Sequence, residues 1–458
     1  MRSSKRVSWH LSRFDRIVAA VLALLLTLAV LMIWRGDRVG VRVAAVLPAD
    51  GSTASTRTTI RVTFAQEMTP QDAAIIVQPA IAGRTIWEGR TLVFQPDDPL
   101  PPETTYRVQV PAGLRSRRGQ ELLRPLNWEF HTAAPRLLYL GWDDKDISQL
   151  YLISPDGADA RPLTHEKTNV VDYALSPDGM SVVYSLAQPD GRSSELWQVD
   201  LAAVERKRLL RCDNALCHRP VWSPDGRRLL YEQRNIEANS GQAGPPRLWW
   251  LDVAVGQTLP LFSDSQWLGL GAGFSADGRW LSYLAPQSQA VQLYDLETGE
   301  TRQLASQTGQ SPAWNPAGAD LVFTAYATTS AGFSVHLFRA DLSNAAPLDL
   351  SGAADVNDDG PVWSPDGAWI AFGRQDAGAV MGKQLWIMRA DGSQARALTN
   401  DPQAYHVLPA WSPDSQTIAF QRYALTEANA RPGLWLVDVR SGDLRQLIAA
   451  GAQPIWAP

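Results

Sequence analysis

The chain has 458 residues and a net charge of −5, with 45% hydrophobic and 19% charged residues. That length allows two to four domains with ample apolar core, and the composition excludes global disorder. The lack of a basic excess argues against a nucleic-acid partner, and two cysteines exclude a disulfide scaffold or a four-thiolate zinc site. The excess of 33 Gly, 31 Pro and 18 Trp suits many short strands joined by tight turns, an all-β chain.

Residues 17–34 form an apolar run of 18 whose single polar member is Thr27. As a helix it would cover about 27 Å, close to the hydrocarbon thickness of a bilayer. Arg2, Lys5, Arg6, Arg13 and Arg16 precede it; Arg35, Arg38 and Arg42 follow. The positive-inside rule puts 1–16 in the cytoplasm and everything after Trp34 outside, in a single-pass topology. A cleaved signal peptide is the rival reading, but its apolar region is shorter and ends in small residues, whereas this run ends Met32-Ile33-Trp34-Arg35.

Residues 43–133 alternate in Thr59–Phe64, Thr91–Phe94, Tyr106–Val110 and Asn127–Thr132, separated by Asp50-Gly51, Pro99–Pro102 and Arg118-Gly119. Half-buried strands with such turns predict a two-sheet sandwich. The segments Pro48–Gly51, Ile60–Phe64 with Glu67-Met68, Leu92–Pro96, Leu100–Tyr106 and Trp128–Thr132 resemble the bacterial Ig-like domain of the S-layer SbsA type. That resemblance implies a spacer or adhesion module without catalytic residues.

From residue 136 to 458 a repeat dominates. A unit of the type aromatic-Ser-Pro-Asp-Gly, intact at Trp222–Gly226 and Trp363–Gly367, recurs with one or more changes at Leu175–Gly179, Phe274–Gly278, Trp314–Gly318 and Trp411–Ser415, and a truncated copy closes the chain at Ile455–Pro458. Taken at residues 176, 223, 275, 315, 364, 412 and 457, the steps are 47, 52, 40, 49, 48 and 45. A period of roughly 40–50 with alternating strands such as Ser181–Tyr184, Leu196–Asp200 and Arg161–Thr164 predicts four-stranded propeller blades. Three strands from Arg136 to Thr164 lack a preceding copy, and the C-terminal strand supplies one. Joining them gives a seven-bladed propeller; six or eight blades are the alternatives if one irregular loop is assigned differently.

The Trp-Ser-Pro-Asp-Gly copies, the Leu-Trp strands and the Arg-x-Leu-Thr endings are similar to the TolB-like propeller family. The resemblance implies an envelope protein that binds other proteins through a propeller face. An anchor, an Ig-like domain and one blade more than TolB are departures that leave the partner open.

No Gly-x-Ser-x-Gly elbow, His-Glu-x-x-His or phosphate-binding glycine loop occurs, so no catalytic residue, metal ligand or cofactor is assigned. Asp355–Gly360 begins like a calcium loop, but a strand should follow at Pro361, so a solvated acidic loop is expected. Cys212 and Cys217, five apart, suit a local disulfide outside the cytoplasm. Binding candidates are residues just before each innermost strand, on the channel rim: Asp172, His218, Gln310, Asp359, His406 and Gln453. The expectation is a membrane-anchored, extracytoplasmic binding or scaffold protein of the cell envelope. The alternative is an envelope enzyme or small-ligand sensor with its site in the propeller channel.

Overall fold

The apolar run near the N-terminus is helical at residues 18, 20–28 and 30, and Thr27 returns its hydroxyl to the Ala23 carbonyl (2.5 Å). The computed structural model describes these residues and 40–70, 74–202, 205–316, 318–330, 332–342, 346–376, 382–426 and 430–457. The remainder of the expected 17–34 span, and the expected cytoplasmic segment 1–16, lie outside the described residues. Among the described residues no helix is long and apolar enough to cross a membrane.

Two compact units follow from the contacts, one of residues 1–54, 59–97 and 104–131, the other of 55–58, 98–103 and 132–458. The first holds two four-stranded antiparallel sheets. One orders Val43–Leu47, Ile60–Phe64, Thr91–Pro96 and Gly83–Glu88; the other Ser52–Ala54, Leu126–Thr132, Thr105–Val110 and Ile76–Gln78. The alternation expected of half-buried strands is present: Ile60, Val62 and Phe64 point inward, as do Tyr106, Val108 and Val110. Tyr106 stacks on Phe130 at 5.4 Å inside this core.

The second unit contains, among the described residues, seven four-stranded antiparallel sheets. Blade 1 joins the C-terminal strand Ala452–Ala457 to Arg136–Trp142, Ser148–Ile153 and Arg161–Pro162. Blade 2 runs Val170–Leu175, Ser181–Ala187, Ser194–Asp200 and Arg206–Cys212. Blade 3 runs Ala215–Trp222, Arg228–Asn235, Arg247–Asp252 and Thr258–Pro260. Blade 4 is Leu270–Phe274, Trp280–Ala285, Ala290–Asp295 and Thr301–Ala305; blade 5 is Ala313–Trp314, Asp320–Thr329, Gly332–Asp341 and Leu348–Asp349. Blade 6 is Val356–Trp363, Trp369–Asp376, Gln384–Arg389 and Arg396–Ala397; blade 7 is Ala404–Trp411, Thr417–Ala424, Gly433–Asp438 and Leu444–Ile448. In each blade the first strand named is innermost, and inner strands of successive blades touch. The face of the ring at which inner strands begin is here termed the upper face.

The apolar core lies between blades rather than within them. Leu138, Leu150, Val182 and Tyr184 fill the seam of blades 1 and 2, and Val322, Leu337, Ile370 and Phe372 that of blades 5 and 6. Leu137, Tyr139 and Trp456 meet Ala419, Leu434 and Leu436 between blades 1 and 7, closing the ring. C-terminal residues Ile455, Trp456 and Ala457 pair with Leu138, Leu137 and Arg136, which removes the open edge.

Each part of the repeat has a bonding role. In the turn, Ser176 Oγ donates to Asp178 Oδ1 (2.6 Å), Met180 N–H donates to the same carboxylate oxygen, and Ser181 N–H donates to Ser176 Oγ. The same three bonds recur around Ser223, Ser275, Ser364 and Ser412. Trp314, Trp363, Trp411 and Trp456 donate Nε1–H to the carbonyls of Gly273, Ala313, Val362 and Ala410 in the preceding blade, at 3.0–3.1 Å. Trp222 makes the same bond to Ala174 at 3.4 Å. Blade 2 has Leu175 at this position, and the hydroxyl of Tyr173 reaches back instead, to the carbonyls of Leu138 and Gln453. The arginine of the Arg-x-Leu-Thr ending clamps the turn after the third strand of the next blade: Arg161 on Leu201 (2.7 Å), Arg396 on Val439, Arg445 on Pro155. Its threonine accepts a third-strand N–H, Leu150 on Thr164 and Leu385 on Thr399, both 2.9 Å.

Candidate functional site

The innermost strands share a local irregularity that decides which side chains reach the channel. Their pairing shifts register between Val170 and Asp172, His218 and Val221, Leu270 and Gly273, Asp359 and Val362, Val407 and Ala410, and Ala452 and Ile455. At the bulge Arg219, Gly271, Gly360, Leu408 and Gln453 take φ between +48° and +61°. Such a bulge re-aims the chain and frees one N–H from the ladder.

That freed N–H is met by a side chain of the preceding blade. Arg219 N–H donates to Asp172 Oδ2 (2.9 Å), Gly271 N–H to Glu232 Oε1 (2.7 Å), Gly360 N–H to Gln310 Oε1 (3.2 Å), and Gln453 N–H to Gln421 Oε1 (2.5 Å). Two rim candidates, Asp172 and Gln310, are therefore blade-to-blade latches. These side chains therefore have structural work in place of free valence. At Gly271 an added Cβ would stand 2.2 Å from Ser311 Oγ, which holds that position to glycine.

The other candidates separate. His218 is part-buried, its Nδ1 3.7 Å from Asp172 Oδ2 and without a hydrogen-bond partner among the described residues. Asp359 pairs with the Lys383 ammonium; burial raises its pKa, against the pull of that cation. Gln453 offers its carbonyl to Tyr173. His406 is not on the rim: it is 2% exposed, its Nδ1 lies 2.7 Å from Thr399 Oγ1, and its ring meets Phe420 edge-on. Burial lowers its pKa to about 4, against the pull of Asp401, so at neutral pH the ring is uncharged.

The expected placement in loops before the strands is also corrected. Asp172, His218, Asp359, His406 and Gln453 lie within inner strands, which begin earlier than the hydrophobic pattern indicated. His406 stands five residues before its Trp, whereas His218 and Asp359 stand four before theirs. One residue of slip turns a strand side chain to the opposite face.

Aligned on the Trp, Cys217, Asp358 and His406 occupy one buried position. Each fastens its inner strand to the end of the previous blade's outer strand by different chemistry. Cys217 forms a disulfide with Cys212, Cα atoms 6.3 Å apart; Asp358 accepts from Ser351 Oγ (2.6 Å); His406 meets Thr399. The acidic segment Asp355–Gly360 is accordingly no solvated loop. Val356–Trp363 is a strand, and Asp358 is fully buried, bidentate to Arg374 at 2.7 and 2.6 Å. The Arg374 guanidinium in turn lies near the rings of Phe372 and Trp386, 5.1 and 4.9 Å from their centroids. Among the described residues no cluster of three or more His, Cys, Asp or Glu is placed to hold a metal.

Exposed apolar side chains gather on the upper face: Phe333 (82%), Leu408, Tyr326, Leu425, Trp267 and Tyr423. They sit where inner strands begin, or where second strands end and third strands start. The turns of the opposite face, and the outer strands that start there, expose the aliphatic Met180, Val255, Leu259, Leu348 and Leu444, so it is the aromatic side chains that are confined to the upper face. This asymmetry had no signal in the repeat itself, because it lies in what each blade adds beyond it. In the first unit, a shallow groove of about 540 Å³ is lined by Asp50, Gln78, Arg107, Asn127 and Glu129, while Trp128 turns inward to donate to the Pro48 carbonyl.

Comparison with known proteins agrees with this architecture. A family described as the TolB beta propeller domain matches residues 247–458, and one described as a bacterial Ig-like domain matches 37–132. The Tol-Pal system protein TolB of Anaeromyxobacter dehalogenans is 36% identical over 124 residues, 26% of this chain. The match spans 25% of that relative's length. The crystal structure of TolB from Acinetobacter baumannii aligns over 77% of this chain and 79% of its own, at 17% identity and a TM-score of 0.44. A puromycin-hydrolysing peptidase of Mycobacterium tuberculosis aligns over 69% of this chain and 54% of its own, at 12% identity and a TM-score of 0.52. That last likeness is one of fold alone.

Proposed function

Starting from a TolB-like propeller preceded by a bacterial Ig-like domain, we propose that this chain is a membrane-tethered envelope protein that binds other proteins through the upper face of its propeller. The observation that carries the reading is that the exposed aromatic side chains Phe333, Tyr326, Tyr423 and Trp267 lie on that one face, with Leu408 and Leu425 among them. Gathered apolar residues on a soluble ring mark an interaction surface. The polar candidates deeper in the ring are largely engaged in blade-to-blade bonds, so recognition rests on the face rather than on Asp172, Gln310 or His406. The Ig-like domain serves as a spacer, and the tether is the apolar run at 17–34, whose Leu22, Leu24, Leu25 and Leu26 are 57–67% exposed along the helix.

The test is site-specific crosslinking in intact cells with the parent and with Leu408→Glu/Leu425→Glu. The paired charges should abolish the crosslinked partner while the melting temperature stays within a few degrees, because both side chains are surface sites. An unchanged crosslink with an intact fold refutes the upper face as the site. For the tether, protease added to spheroplasts should digest the propeller, and the isolated protein should retain residues before Trp34. A protected propeller, or a mature N-terminus beyond residue 34, would overturn that part.

A further inference from the structure

Blade 5 departs from its neighbours in a way that exposes a sheet edge. Its inner strand, Ala313–Trp314, pairs only with Val322 and Leu321. Its second and third strands run ten residues each and pair from Asp320–Asp341 out to Thr329–Gly332. The outer half of this hairpin therefore stands beyond its inner strand on the upper face.

The parity of the ladder shows which backbone groups are bare. On the third strand, Val335 N–H donates to Asn357 Oδ1 (3.1 Å) and Leu337 N–H to Ser351 Oγ (3.0 Å). These residues thus turn their backbone groups away from the hairpin. In an antiparallel pair, their partners Tyr326 and Thr324 turn theirs outward on the other edge, and Thr328 follows two residues on. Ser306 Oγ covers the Thr324 carbonyl (2.7 Å). Beyond Thr324, no strand among the described residues pairs with the N–H and C=O groups of Tyr326 and Thr328. Edges are ordinarily blunted by Lys, Pro or a bulge, and Ala325–Thr329 contains none of these. Tyr326 is 50% exposed, and Phe333 is 82% exposed on the same face of the hairpin.

We propose that the edge Tyr326–Thr328 accepts an added β-strand from a protein partner. The occupant is an extended segment whose backbone bonds Tyr326 and Thr328 and whose apolar side chain packs on Phe333 and Tyr326. A second copy of this chain fits less well. The edge faces the ring axis, so the same edge of another folded ring would have to enter the space above this ring's opening. A single extended strand needs only the spacing of about 4.8 Å between neighbouring strands. This inference rests on the reading of the upper face as a protein-binding surface and names the mode of binding there.

The experiment uses octapeptides selected from a random displayed library on the full chain, each then synthesised with one N-methyl group at successive positions. Strand addition predicts a period of two. Methylation should weaken binding tenfold or more at alternate residues and leave the residues between unchanged. Tyr326→Lys and Phe333→Ala should each weaken the parent peptide at least fivefold without moving the melting temperature. A profile without period two, no selected peptide, or binding indifferent to both substitutions would overturn the proposal. The crosslinking variant Leu408→Glu/Leu425→Glu is scored in parallel. If its partner is lost while the peptide profile fails, the binding face stands and strand addition falls; if both fail, both readings fall.

Discussion

His406 illustrates how burial converts a candidate ligand into a structural group. Its ring is enclosed by blades 6 and 7 and bonded to Thr399, and its pKa falls to about 4 chiefly through desolvation. An ordinary histidine titrates near 6.5, so between these values the unfolded chain binds the proton that the folded chain refuses. Stability is then fully present above about pH 6.5 and is lost as pH falls toward 4, by an amount on the order of 3 kcal/mol. His406→Gln keeps a side chain able to bond Thr399 and removes the titration. Its urea midpoint should therefore change less between pH 7 and pH 4.5 than the parent's. Equal pH changes for parent and variant would show that His406 titrates alike in the folded and unfolded chain. The recurring Trp indoles carry a similar lesson: burial alone would accept Phe, but the Nε1 bond to the preceding blade asks for Trp. Where Leu175 breaks the pattern, Tyr173 restores the bond from two residues away.

At the scale of elements, the bulged inner strand is the unit that matters. In blades 1, 3, 4 and 6 it exposes one N–H to which the preceding blade supplies an acceptor, so these neighbouring sheets are joined by directional bonds as well as by apolar contact. The buried position five residues before the Trp is a second joint, built three ways in blades 3, 6 and 7. The disulfide version closes a short loop between blades 2 and 3. For a loop of that length the loss of chain entropy in the unfolded state is worth about 2 kcal/mol. Reduction, or Cys212→Ser with Cys217→Ser, should lower stability by roughly that amount while the far-ultraviolet circular dichroism stays that of an all-β chain. The check is the denaturant midpoint with and without reductant; an unmoved midpoint would mean the joint adds nothing to its surrounding contacts.

For the whole molecule, closure is the decisive feature. Strand Ala452–Ala457 completes blade 1, and Trp456 fills the last seam against blade 7. Removing residues 452–458 takes away that Trp, worth about 3–5 kcal/mol by itself, and exposes the edge of Arg136–Trp142. Against a total stability of about 5–15 kcal/mol, the truncated chain should melt far lower or associate through the new edge. Melting and size-exclusion profiles equal to the parent's would show that blade 1 holds without its inner strand.

The division between what could be read early and what could not follows the reach of each interaction. The repeat, its four strands, the Ig-like segment and the closure of first blade by last strand were legible because local turns, alternation and spacing are written in adjacent residues. The Ser-Pro-Asp-Gly turn closes within six residues, so its bonds need no tertiary partner. The candidate site was poorly legible. Whether Asp172 faces solvent or latches Arg219 depends on a residue 47 positions away, and which strand face His406 occupies follows from its register against the Trp within an inner strand that starts earlier than the alternation indicated. The acidic run at 355–360 looked solvated because its counter-charge, Arg374, arrives from the neighbouring strand. Composition and local spacing therefore determined a ring of blades behind an Ig-like domain. Packing between blades alone decided which polar groups are consumed by the ring and which apolar ones are left for a partner, because both depend on contacts between residues far apart in the chain.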